Sequence, residues 1–334
     1  MTTVIATRNL TKHYGHVHAL DGLDLLVEHG QVHGFLGPNG AGKSTTIRIL
    51  LGLARRTSGE ASVFDEDPWS RAVDLHRRIA YVPGDVSVWP NLSGGEAVDL
   101  LARLRGAQTK DPAYQYEKKR LMEAFQFDPR KKGRAYSKGN RQKVALIAAF
   151  AVPADLYILD EPTSGLDPLM AVIFQREVAR AHANGATVLL SSHIMSEVEQ
   201  LCDRVSIIRA GRIVESGTLT ELRHLTRSDV SFAPSGATLE QVARIPDVHD
   251  PAQQGDRIRL AVDSDRTATV LPALATLGIS DLRVAPPSLE ELFLRHYGDD
   301  LATLEAAEDG ATDGGTDDTA PATRRERRAR TGRA

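Results

Sequence analysis

Gly37-Pro38-Asn39-Gly40-Ala41-Gly42-Lys43-Ser44-Thr45 fits the spacing G-x-x-x-x-G-K-[ST] at every fixed position. Val32, Phe35 and Leu36 before it make the apolar run of a buried strand. After it, Ile47, Leu50, Leu51 and Ala54 fall at i, i+3, i+4 and i+7, one face of a helix. A strand, a glycine-rich turn and a helix N-terminus are the context that separates a phosphate site from a chance turn. Gly37, Gly40 and Gly42 let the N–H groups of the loop, with those of Asn39, Ala41 and Thr45, wrap phosphate oxygens, and the helix dipole adds positive potential there. Lys43 supplies a point charge to the phosphates, and Ser44 offers its hydroxyl to Mg²⁺.

The 334 residues suffice for two domains with a sizeable core. Hydrophobic content of 41% and charged content of 25% are ordinary for a globular chain. A net charge of −3 gives no global basic field for nucleic acid. The single cysteine, Cys202, excludes an intrachain disulfide, fits a reducing cytoplasm and reads as core beside Val198 and Leu201. No signal peptide is visible after Met1, and the longest apolar run, Val144 to Pro153, is far short of the ~20 residues a membrane helix needs. Any membrane-spanning role therefore falls to another polypeptide.

Residues 4–30 read as short strands of a small antiparallel sheet, with Tyr14 either packed in a turn or stacked on a base. Over 86–152 the pattern turns helical: Ala97, Leu100, Leu101 and Leu104 share one face, as do Leu121, Met122 and Phe125, then Val144, Ile147, Ala148 and Ala151. Leu156 to Leu159 is a buried strand ending in Asp160 and Glu161. Asp167-Pro168 opens a helix that Asn184-Gly185 closes, and 186–192 is another buried strand ending at His193. Val205–Ile208 and Arg212–Val214 read as a hairpin around Ala210-Gly211. Alternating strands and helices predict an α/β fold, a mostly parallel sheet covered on both faces. A smaller α+β unit follows over 218–300, with strands at 229–233, 257–262 and 279–285 and helices at 237–245, 267–277 and 288–297. Residues 301–334 have almost no apolar bulk and end in an arginine-rich run, so they are expected to be a disordered charged tail.

A phosphate loop alone does not choose a reaction. Asp160 at a strand end is placed to hold Mg²⁺, and Glu161 beside it to orient and polarise an attacking water. No Asn-Lys-x-Asp motif for guanine is present.

With these motifs in hand, residues 4–217 resemble the ATP-binding cassette ATPases. Lys43 and Ser44 match that family's phosphate loop, and Asp160 with Glu161 its second nucleotide motif and catalytic glutamate. The resemblance implies that Ser164-Gly165-Leu166-Asp167 is the D-loop, that His193 is the switch histidine contacting the γ-phosphate, and that Tyr14 stacks on adenine. It implies a P-loop core with a helical subdomain near 86–152 and an antiparallel β subdomain, ATP and Mg²⁺ as ligands, and two copies sandwiching two ATPs. It also implies ABC-2-type permease subunits as partners, hence peripheral attachment at the cytoplasmic face of a membrane. Residues 285–294 look like the end of the accessory domain in daunorubicin-resistance-type exporter ATPases.

Two stretches compete for the family signature. Leu92-Ser93-Gly94-Gly95-Glu96 is closer by letter, but Ser93-x-x-Glu96 is also a capping box. Tyr136-Ser137-Lys138-Gly139-Asn140 has the family's spacing, about two dozen residues before Asp160, so Ser137 and Gly139 are assigned to the partner copy's ATP. At the Q-loop, Gly84 stands where the family has glutamine, so either Asp85 substitutes or the metal keeps an extra water. A two-cassette regulatory or translation-linked protein would need a second phosphate loop, and a chromosome-type ATPase a coiled-coil insertion longer than 86–152.

Overall fold

A computed structural model of the chain describes residues 2–224, 227–263 and 266–285. The helix expected over 288–297 and the tail over 301–334 lie outside the described residues. The chain opens with β1 (Thr3–Tyr14), β2 (Val17–Leu23), β3 (Leu26–Glu28), β4 (Val32–Leu36) and α1 (Lys43–Leu50). Then come β5 (Ser58–Val63), α2 (Ala72–Arg78), β6 (Ile79–Val82), α3 (Gly94–Leu104), α4 (Pro112–Ala124) and α5 (Lys138–Phe150). They are followed by β7 (Leu156–Asp160), α6 (Pro168–Ala183), β8 (Thr187–Ser192), α7 (Met195–Leu201), β9 (Arg204–Arg209), β10 (Arg212–Thr218) and α8 (Leu219–His224). The last described stretch holds β11 (Arg227–Pro234), α9 (Leu239–Ala243), β12 (Val248–Gln254), β13 (Arg257–Asp263), α10 (Thr267–Ala275) and β14 (Ile279–Ala285).

The central sheet has six strands in the order β10-β9-β4-β8-β7-β6. All its pairs are parallel except the β9–β10 hairpin. Parallel strands buried on both faces need apolar residues at successive positions, and β7 shows why. Tyr157 and Leu159 join one core cluster with α3 to α6, while Leu156 and Ile158 join another with α1 and the β1 sheet. β1 pairs antiparallel with β2, β3 and β5 to form that second sheet.

Two polar arrangements inside the core show how buried polar groups are paired. His33 on β4 is fully buried, with its ring nitrogens near Gln31 Nε2 (3.3 Å) and Ser206 Oγ (2.9 Å). Burial pushes its pKa down to about 4, with Arg204 adding to the effect, so the ring is neutral at pH 7. Arg120 of α4 forks onto buried Glu177 of α6 at 2.7 and 2.6 Å, and Arg180 forks onto Glu117 at 2.9 Å twice. This pair fastens the helical layer to the core. Arg120→Met is expected to cost about 2–3 kcal/mol, since it strips the forked cation from a buried carboxylate, leaving only Arg180 at 4.0 Å, while Arg120 itself is partly solvated. Adding Glu177→Met should recover most of that in thermal unfolding; an equal loss in the double variant would contradict the assignment.

Several local expectations need correction. α1 ends at Leu50 because Gly52 takes a positive φ of 66°, so Ala54 lies beyond the helix. Ala97 is buried as expected, but Leu104 is 68% exposed, and α3 also buries Gly94, Val98 and Ala102. β5, α2 and β12 were not expected at all; β12 contains Pro251 and an irregular register against β13, which hides the strand pattern.

A third sheet, in the order β12-β13-β11-β14, is antiparallel throughout. Val230, Phe232, Ile258, Leu260 and Val262 pack with Val242 of α9 and with Val270 and Leu274 of α10 to form its own core.

Candidate nucleotide site

The phosphate loop turns between β4 and α1 under tight packing. A Cβ on Gly37 would lie 2.5 Å from the Ile208 carbonyl, and one on Gly42 2.7 Å from that of Ala19. Gly42 is the N-cap of α1 at φ 115°, which a residue with a side chain rarely adopts, and no side chain caps the helix. The N–H groups of Asn39, Gly40, Gly42, Lys43, Ser44 and Thr45 have no hydrogen-bond partner among the described residues. Free N–H groups at a helix N-terminus that follows a glycine-rich turn favour an anion, so this row of amides can cradle one. Ala41 is buried, and its N–H donates to Pro38 at 3.2 Å.

Lys43 is 6% exposed, and its ammonium donates to the Gly37 and Pro38 carbonyls at 2.6 and 3.1 Å. Burial lowers its pKa, and the charges of Glu161 and Asp160 oppose that shift. Register across the sheet then assembles the acidic side. Asp160 lies opposite Ser191 in the parallel β7–β8 pair, and the Ser191 hydroxyl donates to Asp160 Oδ1. Ser44 Oγ, from the first turn of α1, donates to Asp160 Oδ2 at 3.2 Å. Hydroxyl and carboxylate oxygens suit Mg²⁺, which binds through one or two protein oxygens plus phosphates. Among the described residues no group of three or more His, Cys, Asp or Glu could hold a metal ion.

Glu161 sits at φ 46°, an uncommon conformation for a side-chain-bearing residue. Its N–H donates to the Ser191 carbonyl at 3.0 Å, which fixes the turn. His193 Nδ1 stands 3.5 Å from Glu161 Oε2. A Cβ on Gly84 would meet the Asp160 carbonyl oxygen at 3.4 Å and Glu161 Cβ at 3.8 Å. Position 84 therefore faces the acid pair with hydrogen where a side chain would fit, and Asp85 is exposed. Tyr14 ends β1 on the hairpin with β2, 47% exposed, with Lys12 Nζ 4.6 Å from its ring centroid. β2 runs beside the loop, since Ala19 and Leu20 abut Gly42.

Ser137 and Gly139 are not hydrogen-bonded to this cluster among the described residues. Ser137 is the N-cap of α5, accepting from Asn140 N–H at 3.3 Å, so both competing serines cap helices. The neighbouring amides differ. Gly94 N–H donates to Lys131 at 3.1 Å, Gly95 N–H to Pro129 at 2.9 Å and Glu96 N–H to the Ser93 hydroxyl, which uses up the first turn of α3. The N–H groups of Lys138 and Gly139 have no partner among the described residues. Gly139 also packs on Ser164-Gly165, where a Cβ would lie 2.5 Å from the Gly165 carbonyl, and Lys138 Nζ donates to Ser164 Oγ at 3.0 Å. Three further residues of the site carry no sequence motif: Ser191, Gln142, whose amide donates to the Pro162 carbonyl at 2.9 Å, and Thr163. Ser191 gives only the faint linear signal of a polar residue ending an apolar run, and Gln142 and Thr163 lie in polar stretches that give none.

A phosphate loop after the strand β4, with an Asp-Glu pair ending the parallel strand β7 across the intervening β8, is the architecture of a P-loop nucleotide-hydrolysing cassette. The model of the ABC transporter family matches residues 20–164. The daunorubicin resistance ATP-binding protein DrrA3 of Streptomyces coeruleorubidus is 35% identical over 91% of this chain and 99% of its own. The bacitracin transport ATP-binding protein BcrA of Bacillus licheniformis is 32% identical over 89% of this chain and 98% of its own. A solved ATP-binding subunit of an ABC transporter superposes with a TM-score of 0.63 at 31% identity, over 67% of this chain and 93% of that one. The chain belongs to the ABC transporter ATP-binding proteins, a family of ATPases.

Proposed function

We propose that this chain powers an exporter, hydrolysing ATP between two of its own copies to drive separate ABC-2-type membrane subunits from the cytoplasmic face. The carrying observation is the Ser44–Asp160–Ser191 hydroxyl–carboxylate chain beside the Glu161–His193 pair. Ser44 and Asp160 would hold Mg²⁺, which when bound neutralises charge on the phosphates. Lys43 and the unpartnered loop amides hold the phosphates, Tyr14 stacks on the adenine, and Glu161 takes the proton of the attacking water. His193 donates to the γ-phosphate and stays close to Glu161. Ser137 and the α5 amides of one copy complete the site of the other. In this reading residues 1–217 are the cassette, with its helical subdomain near 86–152, and 218–300 an accessory unit. No described helix is long and apolar enough to cross a membrane, so the spanning part is assigned to partners. Relatives named for daunorubicin, doxorubicin and bacitracin make a bulky natural product the proposed cargo class.

Shared sites have a kinetic signature. Turnover per chain should rise with protein concentration and level off once the dimer is populated. Measured by phosphate release alongside light scattering, a rate per chain independent of concentration in a monomeric preparation would contradict this reading.

A further inference from the structure

We propose that Glu197 is a positioning residue for the Glu161–His193 pair, an inference that rests on the catalytic reading above. Glu197 lies in the first turn of α7 and is 8% exposed. Its Oε2 accepts a hydrogen bond from Thr163 Oγ1 at 3.0 Å and one from Ser192 Oγ at 3.3 Å. Thr163 follows Glu161 by two residues, and Ser192 directly precedes His193. Ser192 Oγ in turn accepts from Ile194 N–H at 2.9 Å, so both sides of His193 are tied to one carboxylate oxygen.

Three physical points support a functional role. No salt bridge to Glu197 is formed among the described residues, so hydroxyl donors alone compensate a buried carboxylate. Filling this space with an apolar side chain would be less costly if packing were the only requirement. His193 is 59% exposed at its side chain and has little packing of its own, so its place depends on its backbone being held. The base of α7 is fixed in turn, because Val198 presses on β4 where a Cβ at Gly34 would come within 2.7 Å of it. Glu197 thus locks the turn bearing Glu161 to the loop bearing His193, without touching substrate.

The test uses steady-state ATPase kinetics of the full chain. Glu197→Ala should lower kcat by about 10- to 100-fold, the scale of an ångström-sized misplacement, with KM for ATP within about twofold. Since both bonds end on one oxygen, a glutamine oxygen can accept both, and Glu197→Gln should stay within about threefold of the parent kcat. Thr163→Val removes one tie while keeping side-chain shape, and carries the test if the alanine variant does not fold. In a His193→Ala background, Glu197→Ala should cost clearly less than it does in the parent, because one of the two groups it positions is gone. Full additivity there, or near-normal kcat in both Glu197→Ala and Thr163→Val, would overturn the positioning role. If His193→Ala itself retains normal turnover, the catalytic reading falls as well; if it alone loses turnover, only the role of Glu197 falls.

Discussion

Glu161→Gln is expected to lower ATP hydrolysis by ~10²–10⁴ while ATP binding persists, the range a positioned general base supplies. That range corresponds to about 2.7–5.4 kcal/mol of barrier. Glutamine keeps the volume of glutamate and gains no new backbone constraint at φ 46°, so the turn held by Ser191 should survive. The residues proposed to hold phosphate and metal, Lys43, Ser44 and Asp160, are untouched. Only the proton-accepting capacity is lost. A dimer trapped with ATP should then accumulate, visible as a doubled mass on light scattering with nucleotide retained. The uncommon left-handed backbone at Glu161 is consistent with a site where conformational strain is tolerated for function. Turnover within a few-fold of the parent would remove Glu161 from the chemistry and leave Asp160 or His193 to be tested as base.

How much of this was legible beforehand follows the distance along the chain between partners. The phosphate loop is local: spacing, flanking strand and helix all sit within about twenty residues, and both elements form there, although α1 stops at Leu50, short of Ala54. The β7 strand was legible because two-sided burial demands an unbroken apolar run, which Asp160 and Glu161 interrupt visibly. Ser191 was not, because its partner Asp160 is 31 residues away and meets it only through parallel register. The same holds for Thr163 with Glu197, 34 residues apart. Leu104 fitted a helical stripe by spacing, yet α3 buries its smaller residues against neighbouring helices, which no single-helix pattern reveals. β12 was missed because a half-polar strand with a proline gives no alternation to read.

The choice between Ser93 and Ser137 yields the second large expected effect. Spacing to Asp160 favoured Ser137, and the amide map gives an independent reason: α3 has spent its first N–H groups on Lys131 and Pro129, while α5 has not. Because both serines cap helices, each change to alanine carries the same structural cost, about 1 kcal/mol. Stability therefore cancels in the comparison and activity remains. Ser137→Ala should lower the ATPase rate by on the order of 10²–10³, the cost of removing one donor aimed at developing charge. Ser93→Ala should leave the rate close to normal and shift thermal unfolding by a similar small amount. Gly139→Asp should silence hydrolysis too, but a side chain there collides with the Gly165 carbonyl and moves the D-loop, so the serine pair is the cleaner measurement. Both serine variants would be run at saturating protein concentration, so that a weakened dimer is not mistaken for a slower site. If Ser93→Ala silences hydrolysis and Ser137→Ala does not, phosphate recognition belongs to the α3 terminus despite its occupied amides.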